Sequence, residues 1–355
     1  MTTGQGPGSV TLRRAFGMSL IAAAALFTPF HALASSGAGL FMLYNVDARL
    51  DPVSLQQPYI RGLALQLGWR HVEPREGEFD WSHFDRAFDA ARAAGKLMTI
   101  HLLPGRPPEW VSRSGVQTYS RQLLNPSDPR YGRTSIEEPL GWDPVFLEKW
   151  ANLVRQLGTR YSRDPILFGV GVTAPYPEMV VKGSLPPGSE TSRKLRQLYR
   201  RDVYLRAWRN MLDVYQEAFP GKAKFVSPGV VFEDAYFADE VMSYAFSRYG
   251  DKLWAFNAGL MATFPTRNPQ RAHIYSLLSE YAKRANLGFQ MVWSKSGDRA
   301  GQLRGSLLDS LMNGIHYGAR YIEVYQADVR NPSLQDELQY AAQILQGGSA
   351  GAGKR

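Results

Sequence analysis

Cysteine is absent from the 355 residues. The fold therefore uses no disulfide, and thiolate catalysis and thiolate metal ligation are excluded. Histidine is scarce, with six scattered residues. None stands at a ligand spacing, so no metal site is expected. No Gly-x-Ser-x-Gly elbow and no phosphate-cradling glycine loop occur, so the common serine-hydrolase and nucleotide chemistries lack their motifs and no cofactor is expected. Neither sign of charge dominates, with 41 Lys and Arg against 32 Asp and Glu, a formal +9. The basic excess is spread out, apart from a concentration between Arg193 and Arg209. Such a run reads as a solvated helix face, with an acidic polysaccharide or a membrane surface as the sharper alternative. No nucleic-acid-binding motif accompanies it. Beyond the first 34 residues no apolar run is long enough to span a bilayer.

Those first residues read as an export leader. Arg13-Arg14 precede an apolar run from Ile21 to Phe27, and Ala32-Leu33-Ala34 has the small-x-small form of a cleavage site. Leu12-Arg13-Arg14-Ala15-Phe16 also resembles a twin-arginine signal, with Leu12 where a polar residue is usual. Cleavage would leave 321 of the 355 residues, beginning at Ser35, with 39 basic against 32 acidic residues. A periplasmic or secreted location is expected. The Gly/Ala/Ser-rich tail from Gly347 to Arg355 is expected to be disordered.

From Ser35 to residue 346, short apolar runs alternate with helical segments. Strands are expected near 40–46, 62–68, 97–103, 166–173, 223–231, 253–260, 287–293 and 319–325. Helices are expected near 81–94, 144–160, 191–218, 235–249, 270–285, 302–316 and 334–345. Alternation of this kind means parallel strands with crossover helices, and about eight units in about 300 residues is the size of a (β/α)8 TIM barrel. An open doubly wound sheet would want a glycine fingerprint after its first strand, and none is present.

In a barrel strand, alternate residues point to the axis, and the outward ones meet helices and should be apolar. On the last strand, outward Ile322 and Val324 put Tyr321, Glu323 and Tyr325 inside. On the seventh, outward Phe289, Met291 and Trp293 leave Gln290 inside. On the third, Thr99 and His101 face in; on the second, Gln66 and Arg70. Thr173 and Asn257 complete an expected polar interior on the fourth and sixth strands. Interior layers of such barrels are usually aliphatic, so this many polar groups suggests a pocket. A satisfied hydrogen-bond network without a ligand is the plainer alternative.

One stretch is more specific. Trp69, Glu73-Pro74, Gly77 and Phe79-Asp80-Trp81 are followed by a helix, a strand and then Pro107-Pro108-Glu109-Trp110. This W-x-x-x-E-P-x-x-G-x-F-D-W pattern resembles the second and third βα units of clan A glycoside hydrolases, above all the β-galactosidases with an EP-x-x-G-x-[YF]-D signature. The resemblance implies a sugar substrate and two catalytic carboxyl groups: a Glu after Asn at the end of the fourth strand, and a Glu at the end of the seventh. This chain departs at both places. After the fourth strand Glu178 is the carboxylate at hand, without a preceding Asn, and the seventh strand offers only Gln290. An amide cannot form a glycosyl ester or act as a base. Glu178 as proton donor and Glu323 as its partner are the expected catalytic pair, with Asp328, Glu233 and Asp234 as further candidates and Arg70 as a structural partner for Glu323. Sugar contacts are expected from Gln66, Trp69, Arg70, His101, Trp110, Tyr176, Asn257, Gln290, Trp293 and Tyr325, because sugar rings stack on aromatics while polar neighbours orient them. The expected function is cleavage of a poly- or oligosaccharide, possibly acidic. The alternative is a non-hydrolytic carbohydrate-binding barrel that serves export or assembly of a cell-surface polysaccharide.

Overall fold

The computed structural model describes residues 37–347, apart from 46–48, 106, 123–134, 176–189, 228, 233, 235 and 266, together with Met1 and Gly4. The rest of the expected leader and the tail beyond Gly347 lie outside the described residues.

Eight parallel strands close into a barrel. In chain order they are β1 (Gly39–Asn45), β2 (Ile60–Gly68), β3 (Leu97–Leu103), β6 (Leu167–Val172), β7 (Ala223–Val226), β8 (Leu253–Leu260), β9 (Asn286–Met291) and β10 (Tyr321–Tyr325). Each matches an expected strand. Closure is made by β1 against β10, from Gly39 opposite Tyr321 to Leu43 opposite Tyr325. The long segment between the third and fourth barrel strands also holds an antiparallel pair, β4 (Thr118–Gln122) with β5 (Ser135–Pro139), which is not among the expected strands.

The helices start where side chains can satisfy the free N–H groups of a first turn. For α5 (Pro144–Tyr161), Asp143 accepts from Val145 N and Phe146 N at 2.9 Å, with proline at the first helical position. For α10 (Leu307–His316), Ser306 and Asp309 form a reciprocal capping box. The expected helix 191–218 is two helices, α6 (Glu190–Leu198) and α7 (Arg201–Ala218). Between them Tyr199 packs against Trp142, Tyr204 and Phe232, and Arg200 is extended, so the chain turns inward rather than continuing. The basic run on these helices is largely paired. Lys194 meets Glu190, Arg206 meets Asp202, and Arg201 meets Asp234 and Glu240. That arrangement is the solvated helix face rather than a bare cationic surface.

Two hydrophobic clusters separate the layers. The larger lies between strands and helices and takes the outward residues Leu63, Leu65, Met98, Ile100, Val170, Phe289, Ile322 and Val324. The smaller fills the barrel with Phe41, Leu43, Ala64, Phe225, Trp254, Phe256 and Tyr321. Tyr321 lies 4.4 Å from the Phe41 ring and 4.6 Å from the Phe225 ring, centroid to centroid. The lower interior is thus an aromatic plug, and polar groups occupy only the level nearer the strand ends. Glycines make room for the rings. A Cβ on Gly62 would come within 2.2 Å of Phe41.

One charge sits in the wrong layer. Lys224 on β7 points outward between Ala223 and Phe225, is fully buried, and has no hydrogen-bond partner among the described residues. Its ammonium lies 5.2 Å from the ring of Tyr249, on α8 (Tyr236–Tyr249). Burial pushes its pKa down to about 8. The folded value therefore lies below the unfolded value of about 10.4, so stability is reduced below pH 8 and recovers as pH rises from 8 towards 10.4. The shift corresponds to roughly 3 kcal/mol. Lys224→Met is expected to raise unfolding free energy at pH 7 by about 1–3 kcal/mol, and to flatten the rise between pH 8 and 10 relative to the parent. Urea melts of both proteins at pH 7 and pH 10 check this; equal stabilities at pH 7 would refute it.

Candidate functional site at the strand ends

The loop motif after β2 is built first by a buried acid. Glu73 ends the short helix α2 (Trp69–Val72), and only 1% of its surface is exposed. Its carboxylate accepts from Trp69 Nε1 at 2.8 Å and from Gly77 N at 2.9 Å. Gly77 has φ +77°, a left-handed conformation that glycine adopts without strain. Trp110 Nε1 closes the arrangement on the Glu73 carbonyl at 3.0 Å, with its ring edge-on to Trp69. Burial pushes the Glu73 carboxyl up, against the hydrogen bonds from Gly77 and Trp69. Trp, Glu, Gly and the second Trp therefore fasten the loops after β2 and β3 to each other.

Two expectations fall here. Trp69 is completely buried among Trp110, Phe146 and Trp150, so it is packing and not a sugar platform. Arg70 is exposed on α2 and bonds His71, because the strand ends at Gly68 and a helical turn breaks the two-residue alternation. It neither faces the axis nor pairs with Glu323.

The partners of Glu323 come from across the barrel. Glu323 is fully buried. Its Oε1 accepts from Tyr321 Oη at 2.6 Å and lies 2.8 Å from His101 Nε2. The histidine approach is an ion-pair distance but off the N–H axis, so we count Tyr321 as the directed bond. A carboxylate only accepts, so the Tyr321 proton goes to Glu323 and Thr99 Oγ1 donates to Tyr321 Oη at 2.8 Å. Burial first, and the Glu323 charge next, hold the Tyr321 hydroxyl far above its ordinary range. His101 is wedged between the stacked ring of Phe256, 5.4 Å away, and Gly171, where a Cβ would meet Nδ1 at 2.3 Å. Beside this group, Gln66 Nε2 donates to Gln290 Oε1 at 2.6 Å. Gln290 stands in register with Glu323 and also bonds Tyr325, whose hydroxyl is raised mainly by burial. Gln66, Thr99, His101, Gln290, Tyr321, Glu323 and Tyr325 are thus brought together, as the alternation predicts.

Asn257 is not among them. Phe256 faces the axis, so Asn257 has the outward parity, opposite Phe289, and its Oδ1 accepts from Gly259 N at 2.9 Å where the strand register shifts. Thr173 also leaves the interior: its hydroxyl lies 3.4 Å from Tyr215 Oη on α7. Asp328, fully buried just past β10, accepts from Lys295 N and Ser296 N at 2.9 and 2.7 Å and so pins the loop after β9. Asp234 is bonded to Arg201 at 2.7 Å. Trp293 stands on the pinned loop, 41% exposed, with Nε1 donating to Gly297 O at 3.1 Å. Glu178, Tyr176 and Glu233 lie outside the described residues. The sequence reading missed that Glu73 and Asp328 are loop fasteners. The Trp69, Glu73, Gly77 spacing was the signal for the first; nothing in the local sequence marked the second.

Together these features define a glycoside hydrolase-like (β/α)8 barrel. Residues 60–182 match the β-galactosidase family profile of glycoside hydrolase family 42. The chain is 22% identical over 216 residues to the β-galactosidase BbgII of Bifidobacterium bifidum, covering 56% of this chain and 30% of that protein. The β-amylase catalytic domain of Paenibacillus polymyxa superposes with a TM-score of 0.54 at 10% identity, over 86% of this chain and 98% of that one. The β-galactosidase of the psychrophilic Marinomonas ef1 gives 0.52 at 12% identity, over 89% and 61%. The chain therefore spans under a third of the bifidobacterial protein and under two thirds of the Marinomonas enzyme.

Tyr321→Phe keeps the ring and removes the donor to Glu323 together with the acceptor for Thr99. It is expected to cost about 1–3 kcal/mol. Combined with Glu323→Gln, the loss should be smaller than the sum of the two single losses, because both act on one bond. Chemical denaturation of the four proteins measures the coupling, and strict additivity would contradict the network.

Proposed function

We propose that the protein binds a carbohydrate at the C-terminal mouth of the barrel and does not cleave it. The observation behind this reading is that Glu323 is the one acidic residue in the eight barrel strands. Glycoside hydrolysis needs two carboxyl groups flanking the bond, about 5–5.5 Å apart for retention and about 6.5–9.5 Å for inversion. Beside Glu323 in register stands an amide, Gln290, already bonded to Gln66. Glu323 itself is buried beneath the level of Tyr325 and held by Tyr321 and His101, a position suited to orienting those two side chains rather than to attacking a sugar carbon. Gln66, Gln290, Tyr325 and His101 supply polar contacts, while Trp110 and the exposed Trp293 supply ring faces. The β-galactosidase names among its relatives make a β-galactoside the first ligand to test. Export is part of the proposal and rests on the Arg13-Arg14, apolar and Ala32-Leu33-Ala34 sequence of the first 34 residues.

A second reading is hydrolysis with Glu178 as proton donor and Glu323 as its partner. It is favoured by the fixed orientation of Glu323 between Tyr321 and His101, since catalytic carboxylates are held by such neighbours. One experiment separates the two. Mature protein and its Glu178→Gln and Glu323→Gln variants are titrated calorimetrically with β-galacto-oligosaccharides, and the mixtures are assayed for new reducing ends. Binding without new reducing ends is expected. Reducing ends formed by the parent and lost in both folded variants would replace binding with hydrolysis, and absence of binding and cleavage would overturn both.

A further inference from the structure

The outer edge of the same barrel face holds an exposed aromatic group that the mouth does not use. Because α8 follows β7 and α9 (Pro269–Arg284) follows β8, the first turns of both helices lie at the C-terminal edge of the barrel. Tyr236 opens α8 and is 71% exposed. Single exposed aromatics are ordinary, but this one has a fixed polar backing. Its ring centroid lies 4.9 Å from that of His273 on α9. His273 Nε2 lies 2.6 Å from Asp239 Oδ2, and Asp239 is one turn along the same helix as Tyr236. The His273 and Asp239 side chains remain 29% and 39% exposed, so both are within reach of a ligand. With Nε2 donating to Asp239, the Nδ1 of a neutral ring is left as an acceptor. The second Asp239 oxygen accepts as well.

An open ring face beside fixed acceptors suits a pyranose, which presents a C–H face to an aromatic and hydroxyls to its edge. We infer that Tyr236, His273 and Asp239 form a second sugar-binding site, which holds units of a glycan chain beyond those in the barrel mouth. The inference rests on carbohydrate binding by the mouth. The two sites act on one chain, so the second adds affinity only to ligands long enough to reach it.

The test is calorimetric titration of the full chain with β-galacto-oligosaccharides of increasing length, from disaccharide upward, for the parent, Tyr236→Ala and Tyr236→Phe. The parent is expected to gain affinity with length. Tyr236→Ala should lose about 3- to 10-fold for the long oligomers and nothing for the disaccharide, while Tyr236→Phe retains the parent's affinity. Tyr236 is exposed, so folding of the variants is not at issue, and a thermal melt checks it. Unchanged affinity of Tyr236→Ala at every length would overturn the second site and leave binding at the mouth intact. An equal loss at every length would place Tyr236 in the mouth and overturn it as well. No binding by the parent would overturn the mouth reading and this inference with it.

Discussion

The pairing of β1 with β10 is the constraint on which the rest depends. Side chains alternate along a strand, so its register decides which of Tyr321, Ile322, Glu323, Val324 and Tyr325 meet the axis. With Gly39 opposite Tyr321, the three polar-tipped residues turn inward and the two aliphatic ones meet the helices. A slip of one residue would turn Glu323 and Tyr321 together into the helix layer, away from His101 and Thr99, and would place Ile322 and Val324 on the axis. Both changes cost stability, since a buried carboxylate moved from polar neighbours into an aliphatic layer is less favourable there. On the other side of β10, the β9 register sets Gln290 beside Glu323, so both neighbours of this strand shape the candidate site.

The loop motif and the chemistry answer to different forces. Trp69, Glu73, Gly77 and Trp110 are tied to one another by hydrogen bonds and edge-on rings. They hold loops in place whether or not a sugar is cleaved. The Glu-Pro-x-x-Gly pattern therefore reports loop architecture and says nothing of which residue, such as Gln290 on β9, stands at a strand end. Asp328 does for the loop after β9 what Glu73 does for the loop after β2: each buried carboxylate accepts backbone N–H groups of a turn and fixes its shape.

Much of this was legible in the sequence because period-two alternation is a strong signal in strands buried on both faces. It placed Thr99, His101, Gln290, Tyr321, Glu323 and Tyr325 on the axis correctly. It failed mostly where alternation itself fails. Arg70 lies past the end of β2, in a helical turn, and Thr173 lies beyond Val172, where the chain leaves the sheet; Asn257 keeps the alternation on the outward parity, and only its polarity pointed to the axis. It also could not name partners. Glu323 meets His101 from β3 and not Arg70, because which side chains touch across a barrel depends on stagger and on the space left by Gly171, neither of which is local. The antiparallel β4–β5 pair was hidden for a similar reason: its strands are short and polar, and pairing rather than composition defines them.

Two fully buried charges on barrel strands show how layer and partner decide a side chain's fate. Glu323 on β10 and Lys224 on β7 are both removed from water. Glu323 faces the axis, where Tyr321 donates to it and Thr99 and His101 extend the contact across the barrel to β3. Lys224 faces the helix layer, where the Tyr249 ring is its cationic contact and the ammonium has no hydrogen-bond partner among the described residues. A donor chain that begins on β3, passes through a β10 tyrosine and ends on a carboxylate restricts several rotamers at once. The lysine restricts only itself. The acid therefore organises the polar level of the barrel interior through Tyr321, Thr99 and His101.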